Sequence, residues 1–187
     1  MIEKIFISGS IKIKTLPKSV YDKLELIIKE DHEVIVGDAA GVDSLVQDFF
    51  KEKEYRNVTV YSIFSIPRHN SGGFESKYVF ASGDIKSMRE RQKVKDERMS
   101  IECDSSLVIW DGKSKGCFSN IKRSINLQKL IRVFLWSSKD FIELCNINEN
   151  LIDNIYRSSV GYSATETLEL LKTRAFNGFD STRAFNK

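Results

Sequence analysis

The 187-residue sequence contains only three cysteines, two prolines and two histidines. Cys103, Cys117 and Cys145 form no CxxC pair, so neither a disulfide framework nor a structural zinc site is predicted. His32 and His69 are too few for a histidine-rich centre, and we predict no metal site. No apolar run reaches the roughly 18 residues that span a bilayer, and the N-terminus lacks a signal-peptide cleavage pattern. We therefore expect a cytoplasmic protein without a membrane partner.

The sequence also has little excess of one charge sign over the other, because its net charge is only +3. A charged fraction of 29% and a hydrophobic fraction of 41% are typical of a globular protein. So small a net charge argues against nucleic acid as a partner, since affinity for a phosphate backbone depends on several cationic contacts. The length suits one domain with a sizeable core.

Short apolar runs alternate along the chain with segments of helical period. The predicted strands lie at residues 3–10, 32–38, 57–63, 105–110 and 130–136. Between the second and third of these, Val42, Leu45, Val46, Phe49 and Phe50 recur at helical spacing. The alternation predicts an α/β fold: a doubly wound, mainly parallel sheet of about five strands with helices on both faces.

Two regions interrupt this alternation. Residues 65–82 form the longest irregular stretch, which indicates either a functional loop or a mobile insertion. Beyond residue 138 the composition shifts to Asn, Glu and Ser, and a capping box at residues 163–166 predicts a short helix. We therefore predict a ligand-binding domain at 1–137 and a small helical appendage with a loose tail at 138–187.

Polar or glycine-rich segments follow three of the predicted strands, at residues 8–10, 37–43 and 111–116. In an open parallel sheet the ligand lies outside the carboxyl ends of the strands. Free N–H groups and the dipole at a helix N-terminus attract anions, and a glycine allows close approach. None of the segments fits GxxxxGK[ST] or GxGxxG, so an ordinary ATPase or dehydrogenase is not predicted.

Several of these residues also have an ordinary structural interpretation. Asp38 is a favoured residue type for a helix N-cap, and Asp43 suits dipole compensation in the first turn of a helix. Asp111 is a typical turn former. Lys95 and Asp96 lie in a charge run that by composition indicates a solvated helix face.

Four motifs carry a resemblance to a known family: GDAAGVDSLVQ, PRHN, KDERM and LVIWDGKSKGCFSNI, in this order. They resemble the SLOG superfamily of Rossmann-like domains, and most closely its small stand-alone YspA/YpsA-related branch. The superfamily includes the LOG phosphoribohydrolases and the DNA-processing protein DprA. The resemblance spans about residues 2–136. It implies a Rossmann-like fold, a nucleotide-like ligand with no other cofactor, and a homo-oligomer.

Carried over residue by residue, the resemblance implies one ligand-binding set around the carboxyl ends of the strands. The set comprises Ser8, Gly9, Ser10, Gly37, Asp38, Gly41, Asp43, Arg68, Asn70, Lys95, Asp111, Gly112, Ser114, Lys115 and Gly116. LOG enzymes use a glutamate to cleave the N-glycosidic bond, and the matching stretch here ends at Asn120. An amide cannot act as that carboxylate.

The leading prediction is a module that binds a nucleotide or nucleotide-derived ligand, signalling molecules included. The alternative is an N-glycosidic-bond hydrolase or (deoxy)ribosyltransferase acting on nucleosides or nucleotides. Its candidate catalytic carboxylates are Asp38, Asp96 and Asp111, because Asn120 cannot serve. A third interpretation follows the DprA kinship and makes the domain a single-stranded DNA binder, which the small net charge disfavours.

Overall fold

A computed structural model describes residues 1–85 and 87–144 of the chain. The elements are β1 Lys4–Gly9, α1 Lys18–Lys29, β2 Glu33–Gly37, α2 Val42–Glu52, β3 Val58–Ser62, β4 Glu75–Tyr78, α3 Met88–Glu102, β5 Ser105–Trp110, α4 Lys115–Asn126, β6 Leu130–Leu135 and β7 Asp140–Leu144. Within the described ranges, no helix combines the length and apolar character that crossing a bilayer requires.

The strands form a single mainly parallel sheet in the order β4-β3-β2-β1-β5-β6-β7. Five neighbouring pairs are parallel, and only β6 and β7 are antiparallel, with Val133 opposite Ile142. The chain moves outward from β1 to β4 and then returns to add β5 on the other side of β1. This order confirms the predicted doubly wound α/β fold, which is Rossmann-like.

Alternation along the strands divides the core into two layers. Ile5 and Ile7 point to the face covered by α1 and α2, whereas Phe6 points to the opposite face. On that opposite face, α3 contributes Met99 and α4 contributes Ile121 to the packing. The prediction of helices on both faces is therefore confirmed.

The strand number is larger than predicted, because β4 and β7 were missed. β4 lies inside the stretch predicted to be irregular, and it pairs in parallel with β3. Its sequence ESKY is mostly exposed, so it carries none of the apolar signal of a buried strand. As an edge strand it is held by pairing on one side only.

β7 falls in the predicted helical appendage but belongs to the sheet, with Ile142 and Leu144 buried against β6 and α4. The boundary at residue 137 therefore comes before the last described strand. Residues 145–187, which include Cys145 and the predicted helix after residue 163, lie outside the described part of the chain. The division into a domain and an appendage remains a prediction.

Candidate functional site

The strand order reverses between β1 and β5, and a cavity of about 240 Å³ opens at the carboxyl ends beside that point. Such a position is where open α/β sheets bind their ligands. The cavity is smaller than the roughly 300–1,000 Å³ of typical ligand pockets, so it suits a small ligand or one part of a larger ligand. We refer to it as the carboxyl-end cavity. The predicted ligand-binding residues that line it are Ser8, Gly9, Gly37, Asp43, Arg68, Lys95, Ser114 and Gly116.

Glycine is required where the loops after β1 and β2 meet. Gly41 has φ +80°, and a Cβ there would lie 2.5 Å from the Cα of Ile11. A Cβ on Gly9 would lie 2.6 Å from the backbone oxygen of Ile109. Both glycines therefore permit close backbone contact, and this contact brings the predicted loops together at one edge of the sheet.

The floor of the cavity is a buried charge cluster. Lys95 is only 4% exposed, and its Nζ lies 3.3 Å from an Asp96 oxygen. A Cβ on Gly37 would overlap the Asp43 carboxylate and lie 2.7 Å from Lys95 Nζ. The missing side chain of Gly37 thus leaves the space in which an ammonium group and two carboxylates converge.

Asp43 is 7% exposed and accepts a hydrogen bond of 3.2 Å from the backbone N–H of Ala39. Burial raises the pKa of Asp43 to about 6, although Lys95 and the Ala39 N–H act in the opposite direction. Desolvation outweighs the nearby cation because the whole carboxyl group is removed from water. Near neutral pH this group can exchange a proton.

The N-terminus of α4 forms another wall. Ser114 is the N-cap, and its Oγ accepts a hydrogen bond from the N–H of Cys117. A Cβ on Gly116 would meet only Ser114 Oγ, at 3.8 Å, so the first turn of the helix leaves room for a ligand. Burial raises the pKa of the Cys117 thiol to about 12, which keeps it protonated and unreactive.

Asp38 is fully occupied by protein contacts. Its buried carboxylate accepts hydrogen bonds from Ser62 Oγ at 2.8 Å and from Arg68 Nη2, Nε and N at 2.7, 3.1 and 3.1 Å. Burial alone would raise its pKa, but the bonds from Arg68 and Ser62 hold it below the ordinary value. Asp38 does not line the carboxyl-end cavity; it anchors Arg68, which does.

Asp111 forms the turn between β5 and α4. One carboxylate oxygen accepts bonds from the N–H groups of Lys113 and Ser114 at 3.0 and 2.8 Å, and the other accepts the Ser10 hydroxyl at 2.8 Å. These bonds lower its pKa against the effect of burial. Gly112 in the same turn has φ +76°. Asp111 therefore ties the loop after β1 to the loop after β5.

The remaining predicted residues outside the cavity have local roles or lie at the surface. Asn70 exchanges two hydrogen bonds of 2.9 Å with the backbone of Phe74 and shapes the loop before β4. Lys115 is exposed at the start of α4. Of the candidate catalytic carboxylates, Asp38 and Asp111 are held in these networks, and only Asp96 lines the cavity.

Sequence reasoning missed part of the lining: Phe6, Ile11, Ala39, Gln92, Cys117 and Asn120. Gln92 is the most informative, because its buried Nε2 has no hydrogen-bond partner among residues 1–85 and 87–144. It precedes Lys95 by one helical turn, and that spacing places both on one face of α3. Asn120 donates a hydrogen bond of 3.3 Å to Ser8 Oγ, so it supports the wall.

A second hollow, of about 390 Å³, lies between β4 and α3 and is lined by Tyr78, Phe80, Val94 and Ile101 among others. We refer to it as the α3–β4 groove. It is larger, but it lies away from the point where the strand order reverses. The convergence of loops and buried charge makes the carboxyl-end cavity the candidate site.

No family model matches the chain, and no curated protein matches it. Among solved structures, the fold is similar to that of DNA processing protein A from Helicobacter pylori, which has been described for its single-stranded DNA binding mode. The two share 17% identity with a TM-score of 0.53, over 91% of this chain and 80% of the other. The similarity supports the Rossmann-like fold implied by the resemblance; assignment to the YspA/YpsA-related branch stays a prediction.

This similarity contradicts the expectation that nucleic acid is an unlikely partner. A protein of the same fold binds single-stranded DNA, so the small net charge was an insufficient reason to exclude it. Affinity for phosphates depends on where cations lie rather than on their sum. Four exposed lysines lie at the carboxyl ends of the strands, in the loops after β1 and β5 or at the start of α4: Lys12, Lys14, Lys113 and Lys115.

Proposed function

We propose that the carboxyl-end cavity binds the phosphate and ribose of a nucleotide or nucleotide-derived ligand, as a member of the SLOG branch that the motifs resemble. The observation that carries the proposal is the buried side chain of Lys95, which lines the same cavity as the open first turn of α4. A buried cation and a helix N-terminus are two independent sources of affinity for an anion.

The wall also offers unused donors. Gln92 Nε2 is buried without a partner among the described residues. The guanidinium of Arg68 uses Nε and Nη2 for Asp38 and is held over the Phe64 ring, 5.4 Å from its centroid. Two of its five N–H groups are thereby used, which leaves others for a ligand. With a cavity this small, the base would extend outward beside the exposed Ile11.

Gly116→Val separates ligand binding from folding. The position has free space around its Cβ, so we expect the melting temperature to stay within about 2 °C of wild type. The valine side chain would occupy the space proposed for the phosphate, and affinity should fall about tenfold or more. Calorimetry with AMP, ADP-ribose, NAD and cyclic nucleotides measures the affinity, with Ser119→Val on the exposed face of α4 as the matched control.

Two results would contradict the binding proposal. One is the absence of binding by every nucleotide in the panel. The other is a nucleotide that binds Gly116→Val and wild type equally well.

Single-stranded DNA is the second candidate ligand. It is favoured by the similarity to DNA processing protein A and by four exposed lysines that lie near the lining residues Ile11 and Ser114 in the sequence: Lys12, Lys14, Lys113 and Lys115. Several cations along one edge are what backbone binding requires. A strand could cross this edge with one phosphate in the carboxyl-end cavity.

If the chain binds single-stranded DNA, the affinity should depend on the salt concentration and on Lys12, Lys14, Lys113 and Lys115. Fluorescence anisotropy with an oligo-dT measures the slope of log affinity against log salt concentration. The quadruple Lys→Gln variant should make this slope shallower by about 3, because each phosphate contact to a single strand contributes about 0.7 to it. Lys29→Gln/Lys51→Gln, in the last turns of α1 and α2, is the control at the opposite edge. Two results would contradict DNA binding: no oligonucleotide binding at low salt, or equal binding by the quadruple variant and wild type.

A further inference from the structure

Three ionisable groups share the floor of the carboxyl-end cavity, and they belong to two different helices. Asp43 comes from the first turn of α2, whereas Lys95 and Asp96 come from the middle of α3. Asp43 and Lys95 meet over Gly37, and Asp96 lies 3.3 Å from the same ammonium. With both carboxyl groups ionised, the cluster carries one negative charge, which opposes the binding of an anion.

Few groups near Asp43 can neutralise the net negative charge of the cluster. The charged or titratable groups that interact electrostatically with Asp43 are Lys95 and Asp96 on α3, Asp38 after β2, Arg68 in the loop after β3, and Cys117 on α4. The Arg68 charge is already paired with Asp38 at 2.7 Å, and the Cys117 thiol stays neutral. Asp96 is 25% exposed, so water reaches its side chain, whereas Asp43 is buried.

We propose that near neutral pH the carboxyl-end cavity takes up a proton when it binds an anion, and that Asp43 is the residue that holds this proton. The inference rests on the proposed function and specifies how the same site is regulated. Protonated Asp43 makes the cluster neutral and turns one of its oxygens into a hydrogen-bond donor toward the ligand. Protonation of Asp43 thus makes the affinity for anions higher at low pH.

The expected linkage has a defined sign. Burial holds the pKa of Asp43 at about 6 in the free protein, and a bound anion raises it further by repulsion between like charges. Below pH about 6 the proton is already present, and affinity is constant. Above pH about 6 the proton must be taken from solution, so affinity falls about tenfold per pH unit until the pKa of the complex is passed.

The test uses sulfate, whose charge is constant between pH 5 and 8.5. Titrations at fixed ionic strength, followed through the amide resonances of Gly37 and Gly116, should give a dissociation constant that rises above pH 6 in wild type. Asp43→Asn keeps the shape and removes the charge, so sulfate should bind it with a pH-independent affinity close to the low-pH wild-type value. Glu52→Gln, exposed at the end of α2, should retain the wild-type profile.

Carboxyl carbon resonances of wild type provide the second measurement, in case Asp43→Asn does not fold. Saturating sulfate should raise the pKa of Asp43, while the carboxyl carbon resonance of the exposed Asp22 should not respond to sulfate. An unchanged Asp43 pKa, or a pH-independent sulfate affinity in wild type, overturns the proton-uptake proposal. If nucleotides still bind in those cases, the proposed function stands; if neither sulfate nor any nucleotide binds, both are wrong.

Discussion

Replacing Lys95 with methionine is expected to weaken nucleotide binding about tenfold to a hundredfold, because a charge-assisted hydrogen bond is worth about 1.5–3 kcal/mol. The Lys95 side chain is 4% exposed and reaches the cavity floor. Methionine fills a similar volume with a flexible apolar chain, so the fold should be retained. Calorimetry with the tightest-binding nucleotide of the panel measures the loss.

Lys93→Met is the matched control for this variant, since Lys93 lies on the exposed face of the same helix. We expect its affinity for a mononucleotide to stay within about twofold of wild type, because exposed charges are screened by water and salt. If Lys95→Met binds as tightly as wild type while Lys93→Met does not, the ligand lies outside the carboxyl-end cavity.

Asp38→Ala is expected to lower the free energy of unfolding by about 3 kcal/mol, as removal of one partner from a buried charged network usually does. The Asp38 side chain is 0% exposed and holds both Ser62 and Arg68. The variant leaves their donors without the carboxylate. Urea denaturation monitored by circular dichroism measures the change.

Acid provides an internal check on the Asp38 contribution. The folded-state pKa of Asp38 lies below its ordinary value, so the stabilisation is complete above pH about 4 and is lost as the pH falls through the lower folded-state pKa. The difference between wild type and Asp38→Ala should therefore narrow on acidification. Asp22→Ala, at an exposed pair with Lys18, should cost less than about 1 kcal/mol at any pH. A loss at Asp38 no larger than this would contradict the anchoring role.

Strong apolar patterns made most of the fold predictable. The strand at residues 105–110 was predicted with the bounds that the structure gives β5, where all six residues are buried. The helix after residue 41 was predicted from apolar residues at helical spacing, and α2 buries Val42, Val46, Phe49 and Phe50. In these elements local pattern and tertiary burial agree, which is the condition under which sequence reasoning succeeds.

The missed features depend on contacts that no local pattern encodes. β4 is an edge strand of exposed polar residues, and its pairing with β3 determines its structure. The hydrogen bonds between Asp38 and Arg68 form because the loop after β3 returns to Asp38 30 residues later in the chain. Gln92 lines the cavity because α3 packs across β1 and β2. The polar sequence of α3 did not predict a buried face for this helix.

The expectation that nucleic acid is an unlikely partner was wrong for a similar reason. A net charge of +3 sums over the whole chain, whereas a phosphate backbone responds to the local arrangement of cations. The order of the strands brings the loops after β1 and β5 to one edge and so groups their lysines. Only the topology reveals this grouping.

The most direct test of ligand binding in the carboxyl-end cavity is an NMR titration of the isotope-labelled chain with AMP. We expect the largest amide shifts at Gly9, Gly37 and Gly116, which lie at the ends of β1 and β2 and in the first turn of α4 and line the cavity. Residues of the α3–β4 groove, such as Tyr78 and Ile101, should not shift. Shifts confined to that groove, or none at saturating AMP, would contradict a nucleotide site at the carboxyl ends of the strands.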